Sequence, residues 1–268
     1  MKVPKRSVFS LSFEPLTKSS AKRRIQELLV TPTTSLIFTP NTTMLAQSIR
    51  DPKTADLLRR ADLLLPDGMG VITVSRLLGE PLPARIAGID MAEYILALAE
   101  KRGLRVFLLG GKPGVAERAA TKLQRRYPNL KICGTHHGYF GSHREERHSL
   151  LAQLREAHPQ ILFACLGFPK QEAWLLQNRH FLTDLRLGMG LGGSLDVWSG
   201  DKKRAPSPLG RVGLEWLWRA LREPRRLSVI RDGVLLLREG YKQKKGRKRP
   251  LCSMIGRENQ ETINFSKS

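Results

Sequence analysis

Hydrophobic positions along the chain follow two alternating patterns: short, nearly unbroken apolar runs, and longer segments in which apolar residues recur every three or four positions. The short runs are SLIFT (35–39), DLLLP (62–66), RVFLL (105–109), KICGT (131–135), ILFACL (161–166) and the glycine-interrupted LRLGMGLGG (185–193). Apolar runs of this length, bounded by Gly, Pro or small polar residues, predict buried strands. The helical pattern covers 42–48, 54–61, 91–102, a stretch near 114–126, 144–157 and 170–178. Over 91–102, Asp90 is placed to cap the start, Glu93 follows three residues on, and Gly103 ends the helix. Strands alternating with helices predict βαβ units, hence an α/β fold: a Rossmann-like parallel sheet flanked by helices.

A parallel sheet gathers the carboxyl ends of its strands on one edge, where such folds bind ligands. Small and polar groups follow the runs at five junctions: Thr39 and Asn41; Asp67 in PDGMG; Gly110-Gly111; Gly167 to Gln171; and Gly192 to Asp196. These are the candidate site.

After Asp196 the pattern changes. KKRAPSPLGR (202–211) reads as a linker. Leu214, Leu217, Trp218 and Leu221 share one helical face, Pro224 breaks it, and Leu227, Ile230, Val234 and Leu237 predict a second helix. KQKKGRKRP and the polar remainder read as disordered. The expected organisation is an α/β catalytic domain over 1–200, a basic helical appendage over 201–238 and a basic disordered tail over 239–268.

Charge adds a partner to this picture. The 268 residues carry 46 Lys and Arg against 24 Asp and Glu, a net +22, with a pI near 10.6. Such a balance implies an anionic partner: nucleic acid, an anionic membrane surface or a phosphorylated substrate. Residues 202–268 hold 18 basic and 6 acidic residues, so that quarter of the chain supplies +12 of the total. No RRM, KH, helix-turn-helix or zinc-finger signature supports nucleic acid as the partner. Three separated cysteines without a CxxC pair fit a reducing compartment. SVFSLSFEPL is too polar for a signal segment, and no apolar run approaches the roughly 18 residues needed to cross a bilayer. A cytoplasmic protein, soluble or peripheral at a membrane, is expected.

LLGGKPG (108–114) joins a strand to a helix through glycines, a turn whose amides can approach a phosphate. It is GGxxG, not the dinucleotide GxGxxG, and KICGT ends without an acidic residue for a ribose, which argues against a dehydrogenase. No P-loop occurs. Asp67 has the type and place of a general base, in a dry turn that would favour proton uptake; the structural alternatives are an Asx-turn or a cap for the helix after Gly68. No DxD occurs, and His136, His137, His143 and His148 are too loosely spaced to form a zinc site with Cys133, so no metal is expected. A leaving diphosphate would then be met by Arg219, Arg222, Arg225, Arg226 or Arg231. Trp216 and Trp218 fit either the core or a membrane interface.

The set TPN (39–41), PDGMG (66–70), ARIAGID (84–90), LLGGKPG (108–114), LGFPKQE (166–172), GLGGSLDVWSG (190–200), RAP (204–206) and GLEWLWRALREPRR (213–226) resembles the WecG/TagA/CpsF family of bacterial glycosyltransferases over about residues 8–238. The resemblance implies transfer of a hexosamine-type sugar, N-acetylmannosamine or its uronic acid, from a UDP-sugar to a polyprenyl-diphosphate-linked saccharide in cell-surface polysaccharide synthesis. A UDP-glucose-type donor is the alternative. The UDP-sugar is a substrate, so no cofactor is implied. By the same resemblance Asp67 is the base, Thr39, Asn41, Arg85 and Gln171 are polar groups around it, and Gly110, Gly111, Lys170, Gly192, Gly193 and Asp196 line the nucleotide. Arg219, Arg225 and Arg226, with Arg231 just beyond, would reach the diphosphate from an appendage that touches the membrane. Leu195 departs from the family, which often has an aromatic there. The basic tail lies outside the resemblance; each of its six Lys and Arg in 242–249 would add about 1 kcal/mol of attraction to anionic lipid. Self-association exchanged for membrane binding is a further expectation.

Overall fold

Six parallel strands form the centre of the molecule, in the order β4-β3-β8-β7-β5-β6. The computed structural model describes residues 4–140, 144–204 and 228–247. The strands are β3 (Ser35–Phe38), β4 (Leu63–Leu64), β5 (Arg105–Gly110), β6 (Lys131–His136), β7 (Ile161–Cys165) and β8 (Leu187–Gly190). Each coincides with one of the apolar runs. The α/β expectation therefore holds, and the reason is visible in the burial.

Successive strand residues face opposite sides, and both sides are packed. Ile37, Val106, Leu108, Ile161, Phe163, Leu187 and Met189 join one core with helices α1 (Lys18–Leu29), α5 (Gly88–Arg102), α6 (Val115–Arg126) and α9 (Ser194–Trp198). Leu36, Phe38, Phe107, Leu109, Leu162 and Ala164 join the other core with α2 (Thr42–Arg50), α3 (Pro52–Arg59), α4 (Met69–Leu77), α7 (Arg144–Ala157) and α8 (Lys170–Asn178). A strand buried on both faces has no polar alternation, which is why the runs are continuous. In β8 the residues facing the second core are Gly188 and Gly190. A Cβ on Gly188 would come within 2.7 Å of Leu36 and 3.1 Å of Leu175, so α8 packs directly on the β8 backbone.

Three elements before residue 35 carry no clear signal in the pattern. A short hairpin, β1 (Arg6–Val8) with β2 (Leu11–Phe13), buries Val8, Leu11 and Phe13 in the second core. Helix α1 starts from a capping box, with the Thr17 hydroxyl accepting from Ser20 N–H and Ser20 Oγ accepting from Thr17 N–H. Helix α5 begins at Gly88, earlier than the cap expected at Asp90, which instead sits in the first turn, where a carboxylate favours a helix N-terminus.

The last described helix, α10 (Ser228–Arg247), packs on α2 and α4. Its buried residues are Asp232, Leu236 and Gly240, spaced four apart. Asp232 meets Arg50 of α2 at 2.9 Å, and a Cβ on Gly240 would come within 2.9 Å of Val74 in α4. The helix runs nine residues beyond the boundary expected at 238, through KQKKGR, so this part of the expected disordered tail is helical. The rest of that tail, and the helix expected around Leu214–Leu221, lie outside the described residues.

Candidate active site

The carboxyl edge of the sheet is built around Asp67. Its N–H donates to the carbonyl of Pro40, just past β3, at 3.0 Å, and Ile86 N–H donates to Pro66 O at 2.9 Å. The PD segment is thus clamped between the exit of β3 and the chain leading into α5. Gly70 makes the clamp close: a Cβ there would lie 2.4 Å from Thr42 Oγ1, so only glycine lets the start of α4 lie against the start of α2.

The Asp67 side chain is not a helix cap, because α4 starts from Gly68 with no side-chain hydrogen bond. It crosses instead to α5. Oδ2 accepts from Gly88 N–H at 3.0 Å, and Oδ1 accepts from the Arg85 guanidinium at 3.3 Å. The apolar dryness expected around Asp67 is replaced by a cation and the positive end of a 15-residue helix. Together these two hydrogen bonds fix the carboxylate against the start of α5. The Asp67 and Arg85 side chains keep 26% and 18% of their exposure, so both are sheltered and both remain reachable by a substrate hydroxyl.

Thr39 is half-buried beside this group. Its hydroxyl donates to Gly190 O at 3.4 Å, and its methyl lies where a Cβ on Gly88 would be at 3.0 Å. Thr39 therefore links β3, β8 and the first turn of α5. Asn41 is exposed and serves the local structure, since its Oδ1 caps α2 by accepting from Met44 N–H at 3.1 Å.

Gln171, expected as an active-site polar group beside Asp67, is buried, and both ends of its amide are used by the protein. Oε1 accepts from Gly192 N–H at 2.9 Å, and Nε2 donates to Glu172 Oε1 at 2.8 Å. Lys170, one residue before it, is exposed at the start of α8. Gly192 has φ +53°, and a side chain added there or at Gly167 would meet nothing within 4 Å, so these two turns border open space. Gly193 precedes α9, in which Leu195 is fully buried.

At the other junction a Cβ on Gly110 would lie 2.3 Å from Cys165 O, so glycine is needed for β5 to leave the sheet against β7. Gly111 N–H donates to Cys165 O at 3.3 Å, and its carbonyl accepts from Gly138 N–H at 2.8 Å. Burial pushes the Cys165 thiol up to about 12, so it is a packing residue and not a nucleophile. Asp196 pairs with Lys202 at 3.2 Å, Asp201 with Arg118 at 2.6 Å, and Arg204 with Asp90. These ion pairs lead the chain from α9 across to the first turn of α5, beside Asp67.

Thr39, Asp67, Arg85, Gln171 and the Gly190–Gly192 turn thus form one connected group, with Gly110 and Gly111 at the end of β5, beyond β7. Arg231 is exposed on α10, while Arg219, Arg225 and Arg226 lie outside the described residues. Among the described residues no three His, Cys, Asp or Glu side chains are grouped to hold a metal ion. A cavity of about 380 Å³ between Leu154, His158, Phe181 and Asp184 opens on the opposite edge of the sheet, and no candidate site residue lines it. Two partners of the site escape a reading of the sequence. Gly88 acts through its backbone and leaves no side-chain signal. Glu172 is adjacent to Gln171, and its one cue is an acid in the apolar stripe of a helix.

This geometry, a sheltered carboxylate at the carboxyl edge of a parallel sheet, occurs in a chain matched by a family model, that of the glycosyl transferase WecG/TagA/CpsF family, over residues 6–250. The chain belongs to that family. Its similarity to named relatives extends over most of its length. It is 37% identical over 214 residues to the N-acetylglucosaminyldiphosphoundecaprenol N-acetyl-beta-D-mannosaminyltransferase of Bacillus subtilis (strain 168), covering 78% of this chain and 82% of that one. It is 31% identical over 227 residues to the protein of the same name from Staphylococcus aureus (strain MW2), covering 84% and 87%. This glycosyltransferase therefore carries Asp67, Arg85 and Gln171 in a family whose activity is sugar transfer.

Proposed function

We propose that the enzyme transfers N-acetylmannosamine, or its uronic acid, from a UDP-sugar to an N-acetylglucosamine carried on a polyprenyl diphosphate, with inversion and without a metal ion. The observation that carries the reading is the Asp67 carboxylate, held by hydrogen bonds from Arg85 and Gly88 N–H at the carboxyl edge of the sheet. The relatives' names supply the acceptor class and the sugar.

In this reading the acceptor hydroxyl gives its proton to Asp67 as its oxygen bonds to the anomeric carbon. The bond from that carbon to the UDP oxygen breaks on the opposite face, and UDP departs with the electron pair. One displacement inverts the anomeric centre. The chain has no DxD motif, so the diphosphate charge falls to arginines.

The acceptor is membrane-bound, and α10 has a surface suited to meeting it. Ile230, Val234, Leu237 and Tyr241 are each about half exposed or more and fall along one stripe. Arg231, Arg238, Lys242, Lys244 and Lys245 are exposed on the same helix. Apolar side chains flanked by cations fit the interface of an anionic membrane, and no helix among the described residues is long and apolar enough to cross one. These features support our reading of peripheral attachment at the inner face of the cytoplasmic membrane.

The test is UDP release from a panel of UDP-sugars with a lipid-diphosphate-linked N-acetylglucosamine acceptor in anionic liposomes, with and without EDTA. Acceptor-dependent release with UDP-N-acetylmannosamine, retained in EDTA, is the expected result. No UDP binding would overturn the reading, and activity lost in EDTA would overturn its metal-free form.

A further inference from the structure

Glu172 is fully buried in the first turn of α8, and the mechanism above makes no use of it. Oε1 accepts from Gln171 Nε2 at 2.8 Å, while the buried Oε2 has no hydrogen-bond partner. An acid buried with half its carboxyl unpartnered is costly. Its position explains its presence. A carboxamide has a donor end and an acceptor end of nearly equal size, and only its neighbours decide which way it points. Gln171 must present its oxygen to Gly192 N–H. Glu172 Oε1 can only accept when the group is ionised, and its carbonyl oxygen accepts when it is protonated, so in either state it selects the nitrogen of Gln171.

The surrounding backbone is shaped for this pair. A Cβ on Gly190 would lie 2.8 Å from Gln171 Nε2 and 3.2 Å from Glu172 Oε1, so the glycine at the end of β8 makes room for both side chains. The carbonyl of the same Gly190 accepts from Thr39, whose methyl touches Gly88, the residue that donates to Asp67. One side of the Gly190–Gly192 turn is thus tied to the base and the other to Glu172.

We propose that Glu172 is a positioning residue for donor binding: it locks the Gln171 amide in the orientation that anchors Gly192, and so sets the β8–α9 turn that borders the open edge of the site. This rests on the proposed use of that edge for the UDP-sugar. It does not make Glu172 a catalytic residue, since it reaches the site through Gln171.

The experiment compares UDP binding by calorimetry, and donor KM and kcat, for the full-length wild type, Glu172→Leu and Glu172→Gln. Leu removes the acceptor and leaves the amide free to turn. Donor KM and UDP Kd should rise about tenfold, the weight of one buried hydrogen bond, while kcat at saturating donor stays within about threefold. Gln keeps an oxygen for Gln171 Nε2 and should restore both constants to within about threefold of wild type. Equal losses in the two variants, or UDP binding by Glu172→Leu within about twofold of wild type, would overturn the proposal alone. Wild type that fails to bind UDP would overturn the donor-site reading as well. Should Glu172→Leu not fold, Gln171→Leu removes the same anchor, and its failure to weaken UDP binding would be equally decisive.

Discussion

Two regions of the molecule treat their side chains in opposite ways. At the carboxyl edge of the sheet, polar groups are drawn inward and consumed: Asp67, Thr39 and Gln171 each have partners supplied by backbone atoms of neighbouring strands and helices. On α10 apolar groups are turned outward. Ile230, Val234, Leu237 and Tyr241 face solvent, while the face docked on α2 and α4 holds Asp232, Leu236 and Gly240. The more hydrophobic stripe of that helix is the one left exposed. On this helix burial and hydrophobicity are therefore separate properties, and the exposed apolar stripe has the character of an interaction surface.

The strongest way to break the contrast is at Asp67. Asp67→Asn keeps the shape and the hydrogen bond from Gly88 but loses the proton acceptor; turnover should fall about a thousandfold with UDP binding and melting temperature nearly unchanged. Turnover retained within about tenfold would remove Asp67 from the role of base.

Glu172 gives the next effect, through pH. Burial raises its carboxyl from the ordinary 4.5 to about 7. Its contribution to stability is complete below about pH 4.5, where folded and unfolded chains are both protonated, and is lost as pH rises to about 7, where only unfolding lets it ionise freely. Across that window wild type should lose about 3 kcal/mol relative to Glu172→Gln, read as a growing gap between their melting curves. A gap that does not change with pH would mean that the carboxyl is hydrated.

Two further substitutions sharpen the reading of α10. Leu236→Ala should cost about 2–3 kcal/mol in urea unfolding, and Val234→Ala less than about 0.5, because only the first leaves a cavity. The reverse ranking would mean that the outward stripe is the packed one. The double change Val234→Glu and Leu237→Glu should weaken binding to anionic vesicles at least about tenfold, leaving activity on a water-soluble acceptor intact. Unaltered vesicle binding would place membrane attachment elsewhere.

The central sheet is legible in the sequence because strands buried on both faces are apolar with little interruption, as in β3, β4, β5 and β7; glycines break the run of β8, and the edge strand β6 is only half-buried. The candidate site is legible in part for the same reason, since the residue that follows each run falls on the shared edge. Its connections are not. Gly88 meets Asp67 from 21 positions away through an amide that nearly every residue possesses. Strands β1 and β2 have three residues each, too few for a period to show. The end of α10 is hidden because KQKKGR reads first as charge, although Lys, Gln and Arg are good helix formers and Gly240 fits tightly against α4. The outward direction of Val234 and Leu237 has no counterpart in the periodicity, which marks a face without saying what covers it.

The position of β8 has a consequence for how the enzyme comes into being. It pairs with β3 on one side and β7 on the other, so without residues 187–190 the sheet divides into a two-strand piece and a three-strand piece. Thr39 and the Gly190 that receives its hydrogen bond are 151 residues apart. During synthesis the keystone of the sheet emerges after every strand it joins. A chain arrested before it can hold Asp67 but not the turn that Gln171 anchors, so a fragment released early carries no assembled site.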